Sequence, residues 1–286
     1  MLGVAGDTSF QFFCGGVCHP CHPSALRKNW KNLVIFRKIC MKFSQLSSSF
    51  SPKFVIFAKE ICILFQEHLA DKNMIKIIES LELTSEGVRL GNKQKVHLRQ
   101  GDLDGACAVY SLMMYLIILR IFTYKQVTEG NNIKRSTSKG RIIRNFLEGQ
   151  NGLIRKGLGF ADDIKTGLQY AAKSIVDCNY ISNRQETLKT LKECIDNNKP
   201  LMIGVDYNKT DGHALLAIGY ETRNDKIIKI FCLDPGSDIG ATSYWNAVIS
   251  LDEYSNTKYR DSYFTANGNI KKVSLTDAIK IEKNNT

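Results

Sequence analysis

The chain has 286 residues, 43% of them hydrophobic and 9% aromatic, a composition that supports one large folded core or two small ones and excludes disorder of the whole chain. Its formal charge of +11 would suit a polyanionic partner, but lysines and arginines are scattered and the one local cluster, Lys134-Arg135-Ser-Thr-Ser-Lys139-Gly-Arg141, reads as a solvated loop; nucleic acid is therefore not the expected partner. Nine cysteines, an odd count without regular spacing, speak against a disulfide framework and for a reducing cytosol.

No run reaches the ~18 apolar residues of a membrane span, the longest being 106–119, which holds Ser111 and two tyrosines. The N-terminus also lacks the order of a secretory signal. Residues 1–73 mix helix and strand periods and carry five of the nine cysteines. Cys14, Cys18, His19, Cys21 and His22 are zinc-type ligands, but they crowd into nine residues with no second knuckle, so no metal is expected there. The segment reads as an N-terminal extension, either disordered or an over-long translation upstream of Met41 or Met74. A third possibility is a pair of amphipathic helices over 32–69 for a partner or membrane surface.

From Met74 onwards, 74–286 read as one domain. Alternation predicts strands over 75–83, 88–90 and 95–98. A helix from 107 to about 124 is apolar on nearly every face and should be the central buried one. Residues 127–141 read as a polar, mobile loop; 142–147 and 161–172 have helical spacing, separated by a glycine-rich loop over 149–159 that lacks a dinucleotide-binding pattern. A helix over 185–197 ends at Asn198-Lys-Pro200. Strands are predicted over 201–206, 212–220 and 227–233, with a charged turn at 221–226, and a last pair over 259–265 and 270–275 about the hairpin signal Asn267-Gly268.

The chemistry centres on Arg99-Gln100-Gly-Asp-Leu-Asp-Gly-Ala-Cys107. A glycine-bearing turn delivers Cys107 to a helix start, where unpaired N–H groups and the positive dipole end favour thiolate. His213 opens one strand and Asp234 ends the next, so in an antiparallel hairpin the two ends meet and an imidazole and a carboxylate can share a hydrogen bond. His213 is then the base for Cys107, Asp234 holds the imidazole, and Gln100 with the Cys107 N–H supplies an oxyanion hole. Taken singly, a cysteine is usually buried and inert, and an Asp before Pro-Gly is a turn residue. Asp102 and Asp104 are rivals in the acid role but read as caps of the turn. Cys178, Cys194 and Cys232 lack a partner histidine and are taken as structural; Tyr244 and Trp245 line a cleft or fill the core, the core being preferred.

These stretches resemble the papain-like cysteine peptidase superfamily, and most closely the branch of the bacteriocin-processing, double-glycine-leader peptidases and their stand-alone bacterial relatives. The carriers are the Gln100-to-Cys107 turn with its apolar helix, Lys199-Pro200-Leu201-Met-Ile-Gly-Val205, Gly212-His213-Ala214-Leu215 with Gly219-Tyr220, and Leu233-Asp234-Pro235. Their order, Gln, Cys, His, Asp, is that of the family. The resemblance implies an α+β, papain-like fold, a central nucleophile-bearing helix packed against an antiparallel sheet, with Cys107, His213, Asp234 and Gln100 in the family roles. The Gln-to-Cys interval of seven is one residue longer than typical, and Ala108 stands where glycine usually follows the nucleophile. Without an attached transporter domain or ATP-binding cassette, export-linked leader cleavage is not expected. The expected activity is amide hydrolysis of a peptide or protein substrate in the cytoplasm through a thioester on Cys107, with no cofactor and no metal. A deamidase or acyltransferase with the same triad, or an inactive scaffold serving as a regulatory or toxin-associated interaction module, stays open, and the oligomeric state is not legible.

Overall fold

The frame is a closed ring of six strands with a buried helix laid against it. The computed structural model describes residues 73–91, 93–101, 104–130, 132–148 and 157–284, which belong to the contact unit Asp71–Thr286. The cysteine–histidine cluster at 14–22, the amphipathic stretches over 32–69, Asp102 and residues 149–156 of the glycine-rich loop lie outside the described residues.

The chain enters through β1 (Met74–Ile77), β2 (Leu81–Thr84) and β3 (Gly87–Leu90), then α1 (Cys107–Ile118), α2 (Tyr124–Glu129) and α3 (Ser138–Ile143), which runs on into a π-helical turn, Arg144–Glu148. A second π-helical turn, Phe160–Lys165, leads into α4 (Thr166–Ala172), followed by β4 (Val176–Ile181) and α5 (Arg184–Asp196). Six strands complete the described chain: β5 (Leu201–Asp206), β6 (Gly212–Arg223), β7 (Lys226–Leu233), β8 (Ala247–Ser250), β9 (Asp261–Thr265) and β10 (Ile270–Lys283). Each of these pairs antiparallel with the next, and β10 pairs back with β5, so the ring has no open edge. β1 extends the sheet beside β6, and β4 pairs the far half of β10. A bulge between Leu275 and Ala278 lets the long β10 bend from β9 onto β5 and β4. This is an α+β architecture with antiparallel sheet.

Helix α1 has the all-round hydrophobicity of a core helix: every residue except Cys107 and Tyr110 is buried. It packs on β5 and β6, and its two buried hydroxyls are satisfied by that sheet. Ser111 donates to the Ala214 carbonyl at 3.1 Å. Tyr115 donates to the Ile281 carbonyl at 3.2 Å and accepts from the Ile281 N–H at 3.0 Å. The first of these bonds pins the helix one residue from His213. The helix stops where Arg120 turns left-handed, at φ 57°.

Several expectations are redrawn. Residues 75–83 form two strands, because the chain bends between Ile77 and Leu81 to pair β1 with β6 and β2 with β3. Residues 95–98 contribute only an isolated bridge, Lys95 to Arg89. The stretch 127–141 is not a plain loop: Thr123 caps α2 in a reciprocal box with Gln126, and Thr137 caps α3 through the Gly140 N–H. The central helix ends at Ile118 rather than near 124. Glu221, Thr222 and Arg223 belong to β6, and the turn is the pair Asn224-Asp225, both left-handed at φ 52° and 60°, as a two-residue hairpin requires. β4 and β8 are further strands that no pattern had marked.

One ion pair ties α5 to the ring. Asp261, on β9 and fully buried, is gripped by both terminal nitrogens of Arg184 at the start of α5 and also accepts the Asp252 N–H at 3.1 Å. Removing the guanidinium leaves a buried carboxylate uncompensated. Arg184→Met is expected to cost about 3–5 kcal/mol in urea unfolding, and Arg184→Met combined with Asp261→Asn should recover part of that loss.

Candidate active site

The site forms where the start of α1 meets the open ends of β6 and β7. The turn before α1 is held by Asp104, whose carboxylate accepts the Ala106 N–H at 3.1 Å; this fits a turn-orienting acid. Cys107 then begins the helix, partly exposed, with the His213 ring and the Ala214 and Ala108 backbone N–H groups facing its sulfur. Leu233 pairs with Leu216 as the last register of β7 on β6, and Asp234 leaves the ladder one residue later. Its Oδ1 lies 2.6 Å from His213 Nε2, which leaves Nδ1 as the ring nitrogen for the thiol. Asp234 is 1% exposed.

The electrostatics follow from that contact. Burial alone pushes the Cys107 thiol up, but the hydrogen bond and charge of His213, with the Ala214 and Ala108 N–H groups, outweigh it and hold the thiol below its ordinary value. Burial likewise disfavours the His213 cation, and the hydrogen bonds to Asp234 and Cys107 with their charges reverse this, raising its pKa to about 9. Asp234 is held down at about 2 against its own burial by His213, by the Tyr263 hydroxyl and by the Gly236 N–H. The contacts thus favour the charged form of each of the three groups, thiolate, imidazolium and carboxylate. Cys178 and Cys194 behave oppositely: buried without a cationic partner of that kind, both rise to about 11, and burial pushes Cys232 well above its ordinary value too.

Asp234 is fixed by more than His213. Its N–H donates to Asn246 Oδ1 at 2.6 Å, and Asn246 Nδ2 donates to the Asp234 and Ser237 carbonyls, each at 2.8 Å. With both amide hydrogens so used, His97 Nε2, 2.9 Å from the Asp234 carbonyl, is the donor in that contact. Gly236 donates to Asp234 Oδ1 at 2.7 Å; a Cβ there would lie 3.2 Å from that oxygen and 3.5 Å from the His213 ring, so glycine permits the close turn. The Gln100 N–H donates to the Pro235 carbonyl at 2.8 Å, and Arg99 pairs with Asp238 at 3.2 Å. The segment carrying Gln100 is thereby stitched to the turn carrying Asp234. Gln100 Oε1 is itself buried without a hydrogen-bond partner.

Cys107, His213 and Asp234 are therefore brought together, and the backbone of Gln100 is docked beside them. Trp245 stacks on Phe231 at 4.3 Å and, with Tyr244, packs on the core, away from the cleft role. His97, Tyr207, Asn246 and Tyr263 were not foreseen. Asn246 sits in an unpatterned stretch between strands, and Tyr263 is one of several aromatic strand residues, so neither carried a signal in single-sequence reading. Among the described residues, no group of three or more His, Cys, Asp or Glu side chains is placed to hold a metal ion, and no helix is long and apolar enough to cross a membrane.

No curated protein matches the chain. Residues 92–267 match the Peptidase_C39 like family, and this span runs from the turn before Cys107 past Asp234, Asn246 and Tyr263. It covers more than half of the sequence and points to cysteine peptidase-type activity. The chain belongs to the Peptidase_C39 like family.

Proposed function

We propose that the protein is a papain-like cysteine peptidase that cleaves a peptide amide through a thioester on Cys107. The observation that carries this reading is the 2.6 Å bond of His213 Nε2 to Asp234 Oδ1, in a ring that faces the Cys107 sulfur. The helix-borne thiol and the barrel-borne imidazole lie on two different elements, as a papain-like arrangement requires. A reducing cytosol suits the four described cysteines, all of them free thiols.

In this reading the Cys107 thiolate attacks the substrate carbonyl carbon, forming a C–S bond while the carbonyl electrons move onto oxygen. The Cys107 N–H and the Gln100 side-chain amide stabilise that oxyanion. Collapse breaks the C–N bond, and the His213 imidazolium gives its proton to the leaving amine. The now neutral His213 takes a proton from water, whose oxygen attacks the thioester; the C–S bond breaks, the acid departs, and the proton returned to His213 restores the ion pair. Asp234 stays ionised throughout and keeps the ring in place.

The sign of the pH dependence follows from the two shifts. With the thiol held below its ordinary value and His213 raised to about 9, the thiolate persists to lower pH than in an ordinary cysteine. Alkylation of Cys107 by iodoacetamide should reach its plateau at lower pH than that of Cys178, Cys194 and Cys232 and fall on the acid side, where the thiolate is protonated. Peptidase activity should fall on that side and again above about pH 9, where His213 loses the proton that the leaving amine needs. An alkylation rate that climbs steadily up to pH 9, as for an ordinary thiol, contradicts the ion pair.

Site-resolved mass spectrometry of the alkylated protein tests the assignment itself. Cys107 should react at neutral pH at least about tenfold faster than Cys178, Cys194 and Cys232, and His213→Ala should erase the difference. Equal labelling of the four thiols in the folded wild-type protein would leave an inactive scaffold as the better reading.

A further inference from the structure

The carboxylate of Asp234 addresses His213 with one oxygen, and the other oxygen is also held. Tyr263, on β9 and 3% exposed, donates its hydroxyl to Asp234 Oδ2 at 2.5 Å. Burial and the neighbouring charge of Asp234 push this phenol far above its ordinary value, so its proton stays in place wherever Asp234 is ionised. Tyr207, just past the end of β5, continues the array: its ring lies beside that of Tyr263, centroids 6.2 Å apart, with its hydroxyl facing the Tyr263 hydroxyl. The Tyr207 ring also covers His213, with centroids 6.2 Å apart and planes 23° from parallel. The ammonium of Lys271 lies 4.4 Å from the Tyr207 ring centroid.

We propose that Tyr263 is a positioning residue of the reaction, supported by Tyr207: it anchors Asp234 by the oxygen that His213 does not use, and so keeps Oδ1 on the imidazole and the imidazole on the thiol. The inference rests on the peptidase reading of Cys107 and His213.

The argument turns on what a buried carboxylate does when one oxygen loses its donor. Oδ1 has two donors, His213 Nε2 and the Gly236 N–H, whereas the Tyr263 hydroxyl is the side-chain donor at Oδ2. Without it, half of a buried negative charge is unsatisfied. The nearest relief is rotation of the carboxylate toward whatever donors remain, at the expense of the contact with His213. The imidazolium then loses part of its support, and the thiolate it stabilises is protonated at higher pH. Stability alone makes no such forecast: a hydroxyl lost from a packed tyrosine would lower the unfolding temperature and leave the titration of Cys107 where it was. The other titratable groups that act on Asp234 or its partners are His97 at its carbonyl, Cys107 on the far side of His213, and Cys232 behind Tyr263. Tyr263→Phe replaces none of these groups, so a shift in the titration of Cys107 is read through Asp234 and His213.

The test uses the full chain carrying Tyr263→Phe or Tyr207→Phe, with the rate of Cys107 alkylation by iodoacetamide followed from about pH 4 to 9 and thermal unfolding recorded alongside. Tyr263→Phe is expected to move the acid-side midpoint upward by about one pH unit, which lowers the rate on that limb roughly tenfold. Tyr207→Phe should shift it in the same direction by less. An unmoved midpoint in a cooperatively folded Tyr263→Phe protein overturns the proposal; should that variant fail to fold, an unmoved midpoint in Tyr207→Phe overturns it instead. Failure of the underlying reading looks different, because it is visible in the wild type: Cys107 is then no faster than the other thiols before any tyrosine is changed.

Discussion

Everything in the site depends on keeping one carboxylate ionised where there is almost no water. Asp234 is 1% exposed, and an isolated charge in such a place would take up a proton instead. Here each oxygen has a donor, and the backbone on either side of the carboxylate is clamped by a single asparagine. The negative charge so preserved is what makes a protonated His213 favourable, and the protonated His213 is what makes a thiolate favourable at Cys107. Remove the compensation at Asp234 and the chain of stabilisation fails from its far end.

The fold serves this by bringing three separately built pieces to one corner. The β6–β7 hairpin aligns His213 with Asp234, helix α1 presents Cys107, and the segment 97–100 lies across the turn after β7. Ser111, one turn into α1, bonds to the carbonyl of Ala214, so the nucleophile's helix is registered on the strand next to the base. Closing the strands into a ring adds a fourth piece. β9 reaches the Asp234 turn only because the sheet curls round from β7 through β8, and that path delivers Tyr263 to the carboxylate.

How much of this was legible follows from the range of the interactions involved. The buried helix, the helix over 185–197, the strands around His213 and Asp234, and the Asn267-Gly268 hairpin are carried by local period and turn chemistry, which a single sequence displays. The pairing of His213 with Asp234 was legible too, because a two-strand hairpin converts sequence separation into proximity. Closure of the ring was not, since it depends on β10 pairing with β5, some seventy positions apart with no local marker. Asn246 and Tyr263 were hidden for the same reason: their partner is 12 and 29 residues away, and neither residue type announces a role by itself. The caps at Thr123 and Thr137 are a different case, because a threonine three residues before its N–H partner is a local pattern, obscured by the surrounding lysines and glycines.

The four described cysteines separate burial from partnership as causes of reactivity. Desolvation raises every one of these thiols, and for Cys178, Cys194 and Cys232 it is the largest influence and decides the outcome. For Cys107 it is again the largest single influence, yet the outcome is reversed by the sum of His213 and two backbone N–H groups. Cys107 is therefore distinguished less by exposure than by what faces its sulfur, and what faces it is in turn set by Asp234. Substituting a surface residue near the thiol would change access; changing a donor to Asp234, two contacts away, changes the chemistry available to the sulfur itself.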